Sequence, residues 1–326
     1  MSNYYLLKRG EFTYNKSYSS DYPLGAVKRL DLYDMGALST LYICFKIAGD
    51  INSDFLVHYF ETPKWHRGVY EIAGEGARNH GLLNITVGDY FETQHYVPSN
   101  LKEQKKIASM LNLIQRRIEV QSKLIEDLQQ LKSALVERIY SQPDPNIRFG
   151  DLVVQVSKRN HNNNDYSVLS VNNRLGFIEQ SEQFEDRSVA SDDTSNYKVV
   201  SRDDFAYNPA RISVGSIARL TSFENGIVSP MYICFHTKKQ LLPQYLEHFF
   251  DTRYFHYEMQ KRLEGSVRLC LSWEGLCNIP LEVPSVEQQE KVSKRILRLV
   301  DKISLEERHL NLLKSQKQYL LQAMFI

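Results

Sequence analysis

The second half of this 326-residue chain repeats the first in order and almost without gaps, and a repeat of that length dictates a two-part architecture. Asn3-Tyr4 and residues 9–15 (RGEFTYN) return as Asn196-Tyr197 and residues 202–208 (RDDFAYN), 193 positions later. Residues 24–30 (LGAVKRL) return as 214–220 (VGSIARL), and residues 36–45 (GALSTLYICF) as 226–235 (GIVSPMYICF), both at 190. The step from 193 to 190 places a three-residue length difference in the loop between them. His58, Thr62 and Arg78 match His248, Thr252 and Arg268 at 190, and VPS at Val97 matches VPS at Val283 at 186. Met1 aligns with Thr194, so the 44 residues 150–193 have no counterpart in the first half.

Each half ends in a long stretch of helical period. Ile107, Leu111, Ile114, Ile118, Gln121, Ile125, Leu128, Lys132, Leu135 and Ile139 advance by alternate fours and threes, which keeps one stripe turned toward a partner helix. Val292, Ile296, Leu299, Ile303, Glu306, Leu310, Leu313, Lys317, Leu320 and Met324 repeat the pattern 185 positions on, polar interruptions included. A helix of roughly 35 to 40 residues is a rod of about 50 to 60 Å at 1.5 Å per residue. Such a rod overhangs a small domain, so two rods pairing with each other explain the spacing better than two helices packed separately on their own domains. With a whole globular unit between the rods, antiparallel pairing is easily made, and the two units would be related by a pseudo-twofold axis. The organisation expected is a first globular unit at 1–98, a rod at 99–142, a second unit at 143–284 and a rod at 285–326.

The globular units alternate short β-prone runs, such as YSVLSV (166–171), YKVV (197–200), SIARL and MYICF, with turn-rich segments. A helix-period stretch follows at 242–263, with its equivalent near 54–72, so the fold class expected is mixed α/β.

Charge and motif content narrow the function. Lys and Arg total 40 against 39 Asp and Glu, so a nucleic-acid surface would have to come from local clustering. Cys44, Cys234, Cys270 and Cys277 show no CxxC spacing, and the first two lie in YICF runs where a thiol packs as a small hydrophobe. Apolar runs are too short to cross a bilayer and Met1 opens no greasy leader, so a cytoplasmic protein is expected. There is no GxxxxGK[ST], GxGxxG, HExxH or GxSxG. Asn208-Pro209 continues as Ala210-Arg211, without the second proline and aromatic residue of aminomethyltransferases. His58 and His248 sit among aromatic residues on a helical face and read as packed core residues rather than metal ligands. A chain without catalysis and without a metal site is expected.

Taken together, the KRGEFTYNKS and SRDDFAYNPAR segments, the runs at 97–111 (VPSNLKEQKKIASML) and 265–292 (GSVRLCLSWEGLCNIPLEVPSVEQQEKV), and helices ending in LKSALVERIY and QYLLQAMF resemble the specificity subunits of type I restriction-modification systems over nearly the whole chain. That resemblance implies two α/β target-recognition domains separated by two conserved helices in an antiparallel coiled coil, each domain reading half of a split double-stranded DNA site. It implies partners: two methyltransferase subunits that methylate adenine with S-adenosylmethionine, and restriction subunits that use ATP and Mg. The chain itself would bind no cofactor. The missing counterpart of 150–193 implies a first recognition domain shortened at its N-terminus, which would read in reduced form, take the strands from another chain, or mark a shortened allele. Intact recognition by the second domain and a compromised first is the expectation. The competing class is a non-catalytic coiled-coil adaptor that joins two protein partners.

Base readout requires donors and acceptors on loops able to enter a groove. The turn after the FxYN strand offers Asn208, Arg211 and Ser213 in the second unit, and Asn15, Lys16, Ser17 and Tyr18 in the first. Asn15 and Asn208 equally suit a turn-closing role. The repeated arginine, Arg78 and Arg268, lies on glycine-flanked segments where it would hold a phosphate bidentately or tie the loop to a carboxylate. Lys261, Arg262 and Arg268 would together form a basic edge, and Lys158 with Arg159 another that reads more simply as a solvated pair.

Overall fold

The structure is a computed structural model that describes residues 4–73, 82–141, 144–161, 164, 166–183, 193–266 and 268–325. It divides into two compact units: residues 1–125 with 305–326, and residues 126–304. Both dividing points fall inside long helices, so each unit includes part of each rod.

Unit 1 begins with strands β1 (Tyr4–Lys8), β2 (Phe12–Asn15), β3 (Ala26–Arg29), β4 (Met35–Ser39) and β5 (Ile43–Phe45). Helices α1 (Ser53–Tyr59), α2 (His66–Ile72) and α3 (Val87–Glu92) follow, and then the rod α4 (Leu101–Ile139). β1 pairs with β4, and β2 lies between β3 and β5, every pairing antiparallel. In β2 the alternation sends Phe12 and Tyr14 inward, where they meet Phe55, Trp65, Val69 and Leu111.

Unit 2 contains β6 (Ile147–Arg148), α5 (Phe149–Leu152), β7 (Val153–Val156), β8 (Val168–Asn172), β9 (Gly176–Glu179) and α6 (Gln180–Gln183). It continues through β10 (Lys198–Ser201), β11 (Phe205–Tyr207), β12 (Ile217–Arg219), β13 (Asn225–Val228) and β14 (Ile233–Thr237). The remainder is α7 (Pro243–Phe249), α8 (Arg253–Gln260), the short strands β15 (Leu263–Glu264) and β16 (Cys270–Leu271), α9 (Trp273–Cys277), β17 (Pro280–Leu281) and the second rod, α10 (Val286–Met324). Two four-stranded sheets result, ordered β10-β13-β8-β9 and β12-β11-β14-β7, with β13 and β8 parallel.

The repeat holds at the level of single pairs. Phe12 opposes Phe45 and Arg29 in unit 1, as Phe205 opposes Phe235 and Arg219 in unit 2. The aromatic trios correspond as well: Phe12 stacks on Phe45 at 5.6 Å and Phe205 on Phe235 at 5.2 Å, with Phe60 and Phe250 edge-on to each pair. Cys234 is fully buried and Cys44 half-buried, both inside strands, and all four cysteines are free.

One element differs from the periodicity. The stretch 242–263 is two short helices, because the Thr252 hydroxyl donates to the Phe249 carbonyl at 2.7 Å and accepts the Phe255 N–H at 3.1 Å. A side chain that closes one helix and caps the next breaks a continuous period. Thr62 does the same before the 3-10 turn Pro63–Trp65.

Both rods span 39 residues, about 58 Å at 1.5 Å per residue. They run antiparallel. In unit 1 Gln121 meets Glu306 and Gln115 meets Lys317, so one rod ascends in number as the other descends. In unit 2 Leu135, Val136 and Ile139 join the core together with Val292, Ile296 and Val300. Every seam position named from the sequence is buried or half-buried: Ile107, Leu111, Ile114, Ile118, Ile125, Leu128 and Leu135 on α4, and Val292, Ile296, Leu299, Ile303, Leu310, Leu313 and Leu320 on α10.

The lysine interruptions serve the globular units. Lys317 Nζ lies 2.8 Å from Glu61 Oε2, and at the equivalent place in unit 2 the charge of Lys132 acts on Asp251. Burial alone would push the Glu61 carboxyl up. Hydrogen bonds and charge from His58 and Lys317 outweigh that and bring it down from 4.5 to about 2. Because the folded value is depressed, the stabilisation is complete above about pH 4.5 and is lost as pH falls toward 2. After allowance for its partial exposure the contribution is about 1–2 kcal/mol. Lys317→Met is expected to remove most of this acid-limb dependence, read as the denaturant midpoint between pH 3 and 7.

The two glycines at equivalent positions of β4 and β13 differ in surroundings. A Cβ on Gly226 would meet Leu169 Cγ at 2.9 Å and the Ser167 carbonyl at 3.3 Å, whereas at Gly36 the nearest atom, on Leu30, is 3.8 Å away. Gly226→Ala is therefore expected to cost about 1–2 kcal/mol by overpacking, and Gly36→Ala to be neutral or slightly stabilising, in paired urea titrations.

Candidate nucleic-acid interface

The turn that follows β11 is built by Asn208. Its main-chain N–H donates to the Ser216 carbonyl at 3.1 Å, and its side-chain oxygen accepts the Ala210 N–H, also at 3.1 Å. Its carbonyl accepts the Arg211 N–H at 3.0 Å, and Asn208 is buried. Asn208 thus holds the turn, and the residues it presents are Arg211 and Ser213, both exposed at a 3-10 turn over Ile212–Val214. Asn15 closes the equivalent turn in unit 1 by accepting the Ser17 N–H at 3.0 Å.

Two segments singled out separately in the sequence meet in unit 2. The Leu271 N–H donates to the Pro209 carbonyl at 3.1 Å, and the Tyr207 hydroxyl donates to the Leu271 carbonyl at 3.2 Å. These bonds bring the glycine-flanked segment carrying Arg268 against the Asn208 turn. Arg268, Arg211, Asn208, Ser216, Ser170 and Tyr197 line one cavity of about 610 Å³. The side chains of Arg211 and Arg268 are exposed and make no hydrogen bond or ion pair to any described residue. Free guanidinium groups around a polar concavity offer forked donors to a phosphate or a guanine edge.

The other basic candidates are placed differently. Lys261 Nζ lies 2.7 Å from Glu258 Oε1 and 3.9 Å from the Tyr257 ring centre, while Arg262 donates to Glu258 Oε2 at 2.6 Å and to its carbonyl at 2.7 Å. Glu258 is buried; desolvation would raise its carboxyl, and the hydrogen bonds from Lys261 and Arg262 hold it below the ordinary value. The expected three-residue basic edge therefore contracts to Arg268, since a buried carboxylate has taken the other two charges. Arg159 donates to the Asn196 side-chain oxygen at 3.0 Å.

In unit 1 the Lys16 ammonium donates to the Ile85 carbonyl at 3.2 Å, and Ser17 forms a β-bridge with Leu82. Ser17 and Tyr18 are exposed. Arg78 lies outside the described residues.

Two features escaped the sequence reading. The hairpin tip between β8 and β9 projects exposed Asn173 and Arg174, and Asn173 packs on the backbone at Gly215, beside Arg211. The turn signal NNRLG marks it. Gln104 and Gln289, 185 positions apart, are buried anchors: each accepts a main-chain N–H at 2.8 Å, from Asn52 and Leu242, and each donates to a proline carbonyl, Pro98 and Pro284. They clamp the start of each rod to its globular unit.

His58 is buried and donates from Nε2 to Asn112 Oδ1 at 2.8 Å; burial, with the charges of Lys132 and Arg219, brings His248 down to about 4. Among the described residues no cluster of His, Cys, Asp or Glu has the form of a metal site, and no helix is long and apolar enough to cross a membrane.

No protein-family model and no curated protein matches the chain. Solved structures do. A structure described as the basis of complex assembly and conformational transition of the type I R-M system matches with TM-score 0.59 at 12% identity, covering 100% of this chain and 84% of the other. The type I restriction-modification S subunit of M. genitalium matches with TM-score 0.56 at 16% identity over 98% and 84%. The HsdS subunit of Thermoanaerobacter tengcongensis matches with TM-score 0.51 at 14% identity over 98% and 81%. With its two mixed α/β units, its internal repeat and its antiparallel pair of long helices, the chain has the fold of type I restriction-modification specificity subunits.

Proposed function

We propose that this chain is the sequence-specific DNA-binding subunit of a type I restriction-modification complex, reading a bipartite site and positioning methyltransferase and restriction subunits. The observation that carries the reading is the pair of unpartnered arginines, Arg211 and Arg268, brought to one cavity on a chain whose whole length shares the specificity-subunit fold. Unit 2 supplies the stronger half-site contact, with Arg174 beside the same turn. Unit 1, whose Lys16 is engaged internally, contributes less.

In this reading the chain performs no bond chemistry and works in the cytoplasm. S-adenosylmethionine, ATP and Mg belong to the partner subunits. The rods set the spacing of the two half-sites, at about 3.4 Å of DNA axis per base pair. Their exposed faces, where Leu305, Leu312 and Tyr319 recur every seven residues, receive the methyltransferase subunits.

Co-expression with the methyltransferase subunit of the same system, followed by genome-wide adenine methylation mapping, tests the reading. A split motif with a fixed spacer is expected. Methylation of a continuous motif, or none above background with a correctly assembled complex, would reject it. The exposed stripe on α10 also suits a coiled-coil adaptor, which predicts no sequence-selective DNA retention when the partner subunits are present.

A further inference from the structure

The turn that joins β13 to β14 carries a large apolar side chain at a place where turns ordinarily carry small or polar ones. Its residues are Ser229, Pro230, Met231 and Tyr232, closed by the Tyr232 N–H donating to the Ser229 carbonyl at 3.0 Å, and Met231 is 60% exposed. The turn between β4 and β5 has the same form. Ser39, Thr40, Leu41 and Tyr42 are closed by the Tyr42 N–H on the Ser39 carbonyl at 3.1 Å, with Leu41 56% exposed. Between the two units the second turn position changes from threonine to proline, while the third stays large and apolar.

A single exposed apolar side chain is ordinary on a protein surface. Met231 is set apart by what holds it and by what stands beside it. The Asn208 side chain, whose oxygen accepts the Ala210 N–H, donates from its nitrogen to Met231 Sδ at 3.8 Å, so one buried asparagine ties Met231 to the turn that presents Arg211. The Met231 turn is anchored in its own right by buried Tyr232, whose hydroxyl accepts the Val171 N–H at 3.3 Å and whose carbonyl accepts from Lys198 Nζ at 2.5 Å. Met231 lines the same cavity of about 610 Å³ as the unpartnered Arg211 and Arg268. An apolar side chain on a fixed turn thus stands among forked cationic donors.

A phosphate or a carboxylate is satisfied by the guanidinium groups alone. A DNA major groove sets beside its acceptors one methyl group, at C5 of thymine, and apolar contact with that group is how a protein tells thymine from the other bases. We propose, resting on the reading of this chain as a DNA-binding subunit, that Met231 reads the C5-methyl group of a thymine next to the base whose edge Arg211 takes, and that Leu41 holds the corresponding place in unit 1. An unbranched, polarizable thioether adapts to a methyl group whose position shifts with the local twist of the duplex. Asn208 then positions two readers at once, Arg211 through its main-chain carbonyl and Met231 through its side-chain amide.

The probe is duplex DNA carrying the mapped motif, with each thymine replaced in turn by deoxyuridine, which removes the methyl group and leaves every hydrogen-bonding group in place. Affinities are read by fluorescence anisotropy on the subunit assembled with its methyltransferase partners. In the half-site that Arg211→Ala weakens, one replacement is expected to cost about three- to fivefold, the worth of one buried methyl group. Met231→Ala should bind the thymine duplex more weakly by the same factor and become indifferent to that replacement, and Met231→Leu should keep most of the response. Indifference in a variant that still binds selectively marks contact with the methyl group, since a merely disturbed turn would lower affinity for both duplexes alike. Selective binding that is equal on thymine and deoxyuridine at every position overturns the proposal, and so does a response undiminished in Met231→Ala. Loss of methyltransferase retention by Met231→Ala, with the deoxyuridine response intact, would assign the side chain to a protein contact and overturn it as well. Failure of the parent complex to select any sequence is a distinct result, which rejects the DNA-binding reading and this proposal with it.

Discussion

Gln121→Leu is expected to destabilise the paired rods by about 2–3 kcal/mol, and Gln121→Leu with Glu306→Leu to restore most of the loss. The Gln121 side-chain amide donates to Glu306 Oε2 at 2.5 Å and to the Glu306 carbonyl at 3.1 Å, and both residues are buried. Removing the donor leaves a desolvated carboxylate short of a hydrogen bond, which costs more than the net value of the bond when made. Removing both polar groups replaces the pair by apolar seam residues. A pair of this kind fixes register at the expense of stability, so the double variant is expected to unfold well above the urea midpoint of Gln121→Leu, close to that of the parent chain, while pairing its rods less uniquely. A double-mutant cycle by urea titration reads the coupling, and cysteine crosslinking along the seam reads the register. Additive losses in the cycle would show that the two residues do not act on each other.

Arg211→Ala is expected to weaken binding to the recognised site by about 10- to 100-fold, roughly 1–3 kcal/mol, and to relax base preference in one half-site only. Arg268→Ala is expected to weaken all sequences alike and to reduce the slope of log affinity against log salt by about one. The assignments differ because Arg211 stands on a turn whose length differs by three residues between the two units, as suits a variable reader, whereas Arg268 stands on a segment repeated in both. Asn208→Ala should act through the turn, by loss of the side-chain oxygen that accepts the Ala210 N–H, and so lower stability together with affinity. Fluorescence anisotropy of the subunit with its methyltransferase partners, at three salt concentrations and on DNA scrambled in each half-site, separates these outcomes. An Arg211→Ala variant with undiminished selectivity would remove that residue from base readout.

Much of the architecture could be read from residues alone. The repeat offsets of 193 and 190 fell on strands that pair in identical register, and the four-three stepping from Ile107 and Val292 marked side chains that the structure places in the seam. Hydrophobic period and strand alternation are local consequences of where a side chain points, so they survive in one dimension. Less was legible where one side chain decides a boundary, as at Thr252, which divides an apparently continuous helical period in two.

The candidate site was visible only in parts. Arg211, Arg268, Lys261 and Arg262 look alike in a sequence. Only the folded chain assigns Lys261 and Arg262 to the buried carboxylate of Glu258, leaving the guanidinium groups of Arg211 and Arg268 without partners. The same holds for Lys317 and Lys132, which read in the sequence as shared polar interruptions of a seam and prove to act on acids of the globular units. The sequence by itself determined the elements, their order and their repetition, because these rest on periodicity and on copying. Which charges remain available was decided by the tertiary structure, because a charge is consumed by whatever opposite group folding brings within a few ångströms of it, however far away that group lies along the chain.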